Sequence, residues 1–505
     1  MSNEIELKLR ISPADAARLR QHPLILSHLR EPPVTRKLTS IYYDTTDLAL
    51  LDAGISLRVR RMAGGWFQAV KAAGHSSAGL HQRMEWEDII AAGHPDFSKI
   101  TEPALTRIFD QPSLRQALAP IFTTDVRRTE WHLVWDNGDH VELALDIGHL
   151  VVGAAREPIR EIELELKAGE TRRLFELALA LQNDLRLELE NVSKAQRGYA
   201  HYRPQAPVVV RAHHTVLKKH MPASTAFRQI AWECLGQWQG NHDMVLSGDD
   251  PEGAHQMRVA LRRLRSAIGT FDDILGQDEV AGLREELRWI TEVLGKARDL
   301  DVFISETLPP MVLHLQAHPG LLTLREKARK SQASAYAEVR SALGTQRYHR
   351  LLLSLGAWLE GLPSPDNMHG PEVHSLAERM LAKRYRQLCR HGQRLDDMHA
   401  EERHAARIAA KKLRYAAEFF SSLYPTKETR AFLRKLAALQ NVLGDLNDVT
   451  VTDHLVRTLC GARPTRDTDE ARHLFMGWSA SRAHHQLEQM RRTWKAFAAT
   501  PVFWR

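Results

Sequence analysis

The chain has 505 residues, enough for two to four domains, and its composition is typical of a soluble globular protein. No apolar run approaches the ~20 residues that a membrane span needs, so we expect no membrane partner. Three widely spaced cysteines argue against a disulfide framework and against a zinc knuckle, and the chain starts with a strand pattern in place of a signal peptide. These features predict a cytoplasmic protein.

Charge is distributed unevenly. Residues 1–200 carry 25 Lys and Arg against 28 Asp and Glu, whereas residues 201–505 carry 44 against 34. A basic region usually has an anionic partner such as nucleic acid, a membrane surface or polyphosphate, although positive charge also serves solubility. The balance alone does not decide between these two interpretations.

The first strand carries the most informative pattern. In an extended chain, Glu4, Glu6, Lys8 and Arg10 share one face, because successive side chains point to opposite sides, and the intervening aliphatic residues share the other. A face with both carboxylates and cations can hold a divalent metal and an oxyanion together. These are the chemical groups needed to process a polyanion such as triphosphate.

Alternation with period two continues to about residue 200 and predicts an antiparallel barrel or a strongly curved sheet. The Asn137-Gly138 pair between two of the strands is a strong hairpin signal. Helices are predicted near 13–22, 102–110 and 171–184. The predicted strands are 3–11, 37–43, 55–61, 66–71, 82–89, 128–135, 140–147 and 159–167.

Beyond the Pro-containing segment 203–207 the apolar residues recur at helical spacing, which predicts an all-helical region. This region repeats itself with a shift of 149 residues. The motif that begins at His255 returns at His404, and Leu294-Gly295 returns as Leu443-Gly444. We therefore predict two similar helical bundles, at about 218–362 and 372–505, after a linker at 204–217 and a first domain at 1–203.

Each copy of the repeat places a basic stripe on one helix. The stripes consist of His255, Arg258, Arg262 and Arg265, and of His404, Arg407, Lys411 and Arg414. Within a copy the four side chains fall within roughly 80° of one another around the helix. Like charges at this spacing repel, which favours a bound anion. The alternatives are a solvated basic face paired with Asp299 and Asp448, metal ligation by the two histidines, or DNA binding. No ligand cluster or recognition helix supports the last two.

The N-terminal motif Glu4-x-Glu6-x-Lys8 resembles the signature of the CYTH domain, the triphosphate tunnel metalloenzymes. The resemblance covers about residues 1–203 and implies an eight-stranded antiparallel tunnel that binds the triphosphate group of its substrate with divalent metal. It is supported by the ordered matches Tyr42-Tyr43-Asp44-Thr45, Leu57-Arg58-Val59-Arg60, Lys71, Glu85-x-Glu87, Arg127, Asp146, Glu161-Ile162-Glu163-Leu164-Glu165 and Ser193-Lys194-x-x-Arg197-Gly198-Tyr199.

The resemblance also implies roles for individual residues. Ligands for Mg²⁺ or Mn²⁺ would be Glu4, Glu6, Asp146 and members of the run Glu161, Glu163 and Glu165, with the choice of two from the run left open. Phosphate oxygens would be bound by Lys8, Lys37, Arg58, Arg60, Lys71, Arg127 and Lys194. Glu85 and Glu87 would hold these cations or a second metal.

Two further expectations concern lysines. Of the adjacent Arg36 and Lys37 only one can face inward in a strand, and we expect Lys37 to do so. Lys8, if it is desolvated among cations, is expected to have a lowered pKa and to orient or deprotonate the attacking water. Glu4, Glu6 and Lys8 would then form the catalytic group.

The repeated basic motif resembles the CHAD domain, the conserved histidine α-helical domain, over about residues 215–505. That family implies two four-helix bundles with a basic groove that binds polyphosphate. The order CYTH then CHAD is similar to bacterial inorganic triphosphatases. The resemblance implies metal-dependent hydrolysis of inorganic triphosphate to pyrophosphate and phosphate. A non-catalytic polyphosphate-binding adaptor and a class IV adenylate cyclase, which uses the same tunnel, remain as alternatives. The sequence does not determine the oligomeric state.

Overall fold

A computed structural model describes residues 2–62, 64–72, 74–248, 250–315, 318–363, 370–392 and 398–504. Contacts divide the chain into two compact units. The first, here called the barrel unit, contains residues 1–207 together with 344–361, and the second, the helical unit, contains 208–343 and 362–505. The boundaries predicted at residues 203, 217 and 362 stay predictions.

The described part of the barrel unit has ten strands, all joined in one sheet. In chain order they are β1 (Ser2–Ile11), β2 (Val34–Asp44), β3 (Ile55–Met62), β4 (Gly65–Ala72), β5 (His75–Ser77), β6 (Leu80–Ile90), β7 (Ala119–Val134), β8 (His140–Val152), β9 (Ala155–Ala168) and β10 (Leu187–Leu189).

Eight of these strands close into the predicted antiparallel barrel. Their order is β1-β9-β8-β7-β2-β3-β4-β6, and the pairing of β6 with β1 completes the ring. The short strands β5 and β10 extend the sheet beyond β6 and β1. The Asn137-Gly138 turn joins β7 to β8, with φ of 91° at the glycine, a left-handed conformation that glycine adopts without steric cost.

Alternation sends charged side chains to the inside of the barrel and apolar ones to the outside. On β3, Leu57 and Val59 are fully buried beneath helices, whereas Arg58 and Arg60 line the interior. The helices that cover the barrel are α1 (Pro13–Leu19), α2 (Pro23–His28), α3 (Ala49–Asp52), α4 (Pro103–Phe109), α5 (Pro112–Ala117), α6 (Arg172–Leu181), α7 (Lys194–Tyr202) and α14 (Gln346–Glu360). The apolar core of this unit therefore lies between the barrel and its helices.

The helical unit repeats four long helices. Shifting the first set by 149 residues brings the start of each helix to within two residues of its counterpart in the second set, as the repeat in the sequence predicts, although the last two helices of the second set extend further. The first set is α8 (Ala223–Gln239), α10 (Glu252–Thr270), α11 (Gln277–Val302) and α13 (Pro319–Leu343), with the short α9 (His242–Ser247) and α12 (Leu308–His314). The second set is α15 (Val373–Gly392), α16 (Ala400–Phe419), α17 (Thr426–Cys460) and α18 (Arg466–Ala498).

The fold class expected from the sequence, an antiparallel eight-stranded barrel followed by an all-helical region, is confirmed. None of the described helices is long and apolar enough to cross a membrane.

Candidate functional site

The interior of the barrel contains a cavity of about 450 Å³. Glu4, Glu6 and Lys8 of β1 line it together, as strand alternation predicts. Its other charged lining residues are Arg36, Arg58, Arg60, Lys71, Arg83, Glu85, Glu87, Arg128, Glu130, Glu142, Glu163, Glu165, Lys167 and Lys194. Carboxylates and cations thus line the same cavity.

Three buried carboxylates converge on one side of this barrel. One oxygen from each of Asp146, Glu161 and Glu163 lies within 4.8 Å of the others, which makes them a candidate metal site among the described residues. Asp146 on β8 is opposite Glu161 on β9 in the sheet register. Carboxylate oxygens are the hard donors that Mg²⁺ and Mn²⁺ prefer, so this acidic trio fits the kind of metal expected.

Cations neutralise the acidic trio. Arg128 donates from Nε and Nη2 to the two oxygens of Asp146, at 2.7 and 2.6 Å, and also pairs with Glu163. Lys194, at the first position of α7, lies 2.8 Å from Asp146 and 2.9 Å from Glu163 and also contacts Glu161. Burial would raise the pKa of Asp146, but Arg128 and Lys194 outweigh it and lower that pKa to about 2.

The lowered pKa expected for Lys8 is wrong. Burial acts in that direction, but the carboxylates of Glu163 and Glu6 outweigh it and raise the pKa of Lys8 above its ordinary value. The ammonium lies 2.9 Å from Glu6 and contacts Glu163. Lys8 therefore keeps its proton at neutral pH and lacks the basicity that deprotonation of water requires.

A second network surrounds the first glutamate of the motif. Lys71 lies 2.7 Å from Glu4 and 3.1 Å from Glu85. Arg83 donates from Nε to Glu4 at 3.1 Å and also pairs with Glu6. Burial would raise the pKa of Glu4, but Lys71 and Arg83 together lower it below its ordinary value. Burial would likewise raise the pKa of Glu6, but Lys8 and Arg83 lower it, so both motif glutamates are held as carboxylates, and Lys8 links Glu6 to Glu163 of the acidic trio.

The interior also contains a region of excess positive charge. Arg60 has Ser40 as its hydrogen-bond partner, at 3.0 Å, and no carboxylate within ion-pair distance among the described residues. Burial, with Arg58 and Arg128 nearby, lowers its pKa to about 10. Burial would raise the pKa of Tyr42, but Arg58, Arg60 and neighbouring lysines lower it instead. Both shifts indicate a positive potential that an anion would relieve.

Two residues expected in the cavity lie on the other face of their strands. The side chain of Lys37 is 74% exposed and lies 3.2 Å from Asp125, and Arg127 is also exposed. The register pairs Lys37 with Arg127 and Arg36 with Arg128, so each pair shares a face. Arg36 and Arg128 line the cavity instead. The inward orientation expected for Lys37 and Arg127 is therefore wrong, because a one-residue shift reverses the face of a strand.

Several interior residues were not anticipated from the sequence. Arg83 shares the alternation of Glu85 and Glu87, and Glu142 shares that of Asp146, so the same period-two rule could have found them. Glu142 and Glu165 are paired with Lys167, at 3.2 and 2.6 Å. On β6, Glu85 and Glu87 lie 3.4 and 3.8 Å from Arg58.

A buried histidine beside this network makes the barrel sensitive to acid. Burial, followed by the charge of Lys8, lowers the pKa of His81 from 6.5 to about 4, although Glu6 acts in the opposite direction. A depressed pKa contributes stability that is complete above pH 6.5 and is lost as the pH falls towards 4.

We expect His81→Gln to reduce the loss of unfolding free energy on acidification by up to about 3 kcal/mol. Urea unfolding of the barrel at pH 7.5 and 4.5, for wild type and variant, measures the difference. The two proteins should have similar stability at pH 7.5, with the gap opening only at acid pH. An equal loss in both on acidification would contradict the assignment.

In the helical unit, arginines of both repeats come together. Burial lowers the pKa of Arg258, and the charges of Arg262, Arg298 and Arg407 lower it further, although Asp299 raises it from 3.6 Å. The Nε atom of Arg262 is buried and finds no hydrogen-bond partner in the described part of the chain. Burial, followed by Arg298, also lowers the pKa of His255.

The second repeated motif explains how these arginines are accommodated. A Cβ at Gly295 of α11 would overlap the guanidinium of Arg258, whereas a Cβ at Gly444 of α17 would make an ordinary contact of 3.9 Å with the guanidinium of Arg407. An arginine of the neighbouring helix thus faces the glycine in each repeat, and in the first repeat its approach requires the glycine. The shared spacing of the two motifs therefore has a structural reason.

The remaining predicted residues of the stripes differ from one another in burial and in their charged neighbours. Arg414 is paired with Glu418, one turn along α16, at 2.7 Å, and His404 is exposed. Burial and Arg288 lower the pKa of Arg265, whose surroundings also include Glu292. Lys411 is partly buried. Asp448, considered above as a partner, lies outside the residues whose side chains the structure describes.

Comparison with known proteins agrees with both halves of this description. An inorganic triphosphatase of Haemophilus influenzae is 34% identical over 201 residues, which are 39% of this chain and 55%, about half, of that protein. An uncharacterized protein of Mycobacterium tuberculosis is 25% identical over 489 residues, covering 91% of this chain and 90% of that one. The crystal structure of the CHAD domain from the plant Ricinus communis has 33% identity and a TM-score of 0.52, covering 59% of this chain and 99% of its own.

Family models match both parts of the chain as well. The model of the CYTH domain matches residues 2–199, and the model of the CHAD domain matches residues 229–457. The chain therefore joins a CYTH domain to a CHAD domain, and its N-terminal region is homologous to an inorganic triphosphatase.

Proposed function

We propose that this protein is a metal-dependent triphosphatase that hydrolyses inorganic triphosphate to pyrophosphate and phosphate inside the barrel. The observation that carries the proposal is the barrel cavity, in which Glu163 of the acidic trio lies together with Arg58, Arg60 and Arg128. A metal site beside Arg60, a buried arginine without a carboxylate partner among the described residues, suits a polyphosphate anion better than a neutral substrate.

Asp146, Glu161 and Glu163 would hold Mg²⁺ or Mn²⁺, which when bound supplies charge neutralisation on phosphate oxygens. Glu4 and Glu6 would hold Arg83 and Lys71 in place or contribute further ligands. The resemblance to the Haemophilus enzyme supports the reaction type.

The protein's own side chains would bind the phosphate groups and supply fixed positive charge. Arg58, Arg60 and Arg128 would bind the terminal phosphate oxygens, where charge spreads as the phosphoryl group is transferred to water. Lys8 and Lys194, both with pKa values raised above the ordinary lysine value by carboxylates that outweigh burial, would act as fixed ammonium charges. The closed barrel wall would keep bulk water from screening these contacts.

The test is phosphate release from inorganic triphosphate by the purified full chain, with Mg²⁺ and Mn²⁺ compared and with chelator as the blank. We expect metal-dependent release of one phosphate and one pyrophosphate per triphosphate. Formation of cyclic AMP from ATP would instead identify a class IV adenylate cyclase. Binding of polyphosphate without either reaction would identify a non-catalytic adaptor.

We further propose that the helical unit binds inorganic polyphosphate at the cluster of Arg258, Arg262, Arg298 and Arg407. Support comes from the lowered pKa of Arg258, from the buried Nε of Arg262, and from the match to the CHAD family. Like-charged guanidiniums that repel one another are stabilised when a polyanion binds between them.

Arg262→Gln should weaken the binding of long-chain polyphosphate roughly tenfold and make the salt dependence shallower, because one ionic contact is lost. Arg463→Gln, at an exposed position in a turn, is the matched control and should bind like the wild type. Titration of labelled polyphosphate at several salt concentrations measures both quantities. Affinity that does not change with salt would contradict the electrostatic site.

A further inference from the structure

Helix α14 lies inside the CHAD match in the sequence, yet its contacts assign it to the barrel unit. It packs against α6 and β10. Gly356 of α14 lies so close to the ring of Phe175 on α6 that a Cβ there would overlap it. The apolar residues of α6, including Phe175 and Leu181, are fully buried in this arrangement. α14 is therefore part of the covering of the barrel.

Polar contacts fix α14 next to the edge strand β10. The side-chain amide of Gln346 donates to the carbonyls of Gln182 and Leu185, both at 2.9 Å. The backbone N–H of Leu189 donates to Nδ1 of His349 at 3.1 Å, and both residues are buried. His349 thus satisfies an outward-facing N–H of an edge strand, which would otherwise be buried without a partner.

The residue that follows β10 points its N–H the other way, towards the first strand of the barrel. The N–H of Glu190 donates to the carbonyl of Lys8 at 3.0 Å, and the N–H of Lys8 donates to the carbonyl of Gly79 at 2.9 Å. Lys8 is the residue at which β1 changes partner, from β6 before it to β10 after it. Its backbone is therefore held on one side by the segment that follows β10, and on the other side β9 pairs with β1.

We propose that His349 is a positioning residue for the barrel interior. By accepting the Leu189 N–H it fixes β10 against β1 and so holds the Lys8 ammonium between Glu6 and Glu163. The helix from the CHAD match thereby supports the tunnel from outside without touching substrate. The effect on catalysis, though not on backbone order, rests on the triphosphatase activity proposed above.

The test compares two substitutions that separate packing from hydrogen bonding. His349→Leu keeps most of the volume but removes the acceptor, whereas His349→Asn places a carbonyl oxygen close to the position of Nδ1. Ser354→Ala, elsewhere on α14, is the matched control. In the full chain, hydrogen exchange reports the order of β10 and triphosphate turnover reports the tunnel.

We expect His349→Leu to speed exchange of the Leu189 and Glu190 amides by roughly tenfold or more. We also expect it to lower kcat about fivefold with KM nearly unchanged, because ground-state phosphate contacts remain. His349→Asn and the control should stay within about twofold of wild type in both measurements. If the leucine variant does not fold, His349→Ala takes its place.

Unchanged exchange at Glu190 in the variant without an acceptor would overturn the proposal, and so would faster exchange with an unchanged kcat. If the wild type hydrolyses no triphosphate, the proposed function fails while the exchange measurement still decides whether His349 orders β10.

Discussion

Replacing Arg128 by alanine destabilises the barrel by about 3 kcal/mol. The side chain is 13% exposed, and its loss leaves Asp146, which is fully buried, with Lys194 as its remaining cation. Breaking a buried ion pair from one side is costly, because the remaining charge stays desolvated. Arg128→Lys keeps the charge but loses the two parallel hydrogen bonds, so a smaller loss of about 1–2 kcal/mol is expected.

Arg127→Ala is the matched control for Arg128→Ala, since it removes the same side chain from the adjacent position of β7 on the exposed face. It should change stability by less than about 0.5 kcal/mol. Hydrogen exchange of the β7 and β8 amides, measured with chelator present, reports the barrel separately from the helical unit. Equal effects of the two alanine variants would contradict the inward orientation of Arg128.

Glu163→Gln lowers the rate of triphosphate hydrolysis by about 100-fold or more and raises the metal concentration needed for half-maximal activity. Glutamine keeps the shape of the side chain but removes the charge that faces Lys8, Arg128 and Lys194. These cations hold the pKa of Glu163 well below its ordinary value against the effect of burial, so it is a carboxylate at any working pH.

Glu165→Gln is the control for Glu163→Gln, because Glu165 lies on the same face of β9, two residues further along the strand. Its carboxylate is 30% exposed, is paired with Lys167 and is not part of the acidic trio. We expect a loss within about tenfold. Direct titration of both variants with Mn²⁺ provides a measurement that does not depend on turnover. Stronger damage from Glu165→Gln than from Glu163→Gln would move the metal site along the strand.

Period-two patterning was enough to predict the barrel, because charged side chains recur at alternate positions along β1, β3, β6 and β9. The same pattern fails where two basic residues are adjacent, as at Arg36-Lys37 and Arg127-Arg128. Neither local propensity nor charge distinguishes the two faces there, and only the register between β2 and β7 decides.

Other features depend on distances that no linear pattern contains. The raised pKa of Lys8 follows from its approach to Glu163, 155 residues away in the sequence. Similarly, the helical periodicity of 346–360 indicates a helix with a buried face, but it does not indicate what covers that face. In the structure, Phe175 and Leu189 contact α14, and both lie more than 150 residues earlier in the chain.

The placement of α14 has a consequence for how the protein can be cut. The chain passes between the two units three times, after residues 207, 343 and 361. A protease that cleaves once between 204 and 217 produces two polypeptides, and α14 remains in the longer one while it packs against the shorter one. The nicked protein should therefore migrate as one species in gel filtration and as two bands only after denaturation. A fragment ending at residue 207 would expose α6 and β10 where α14 normally lies.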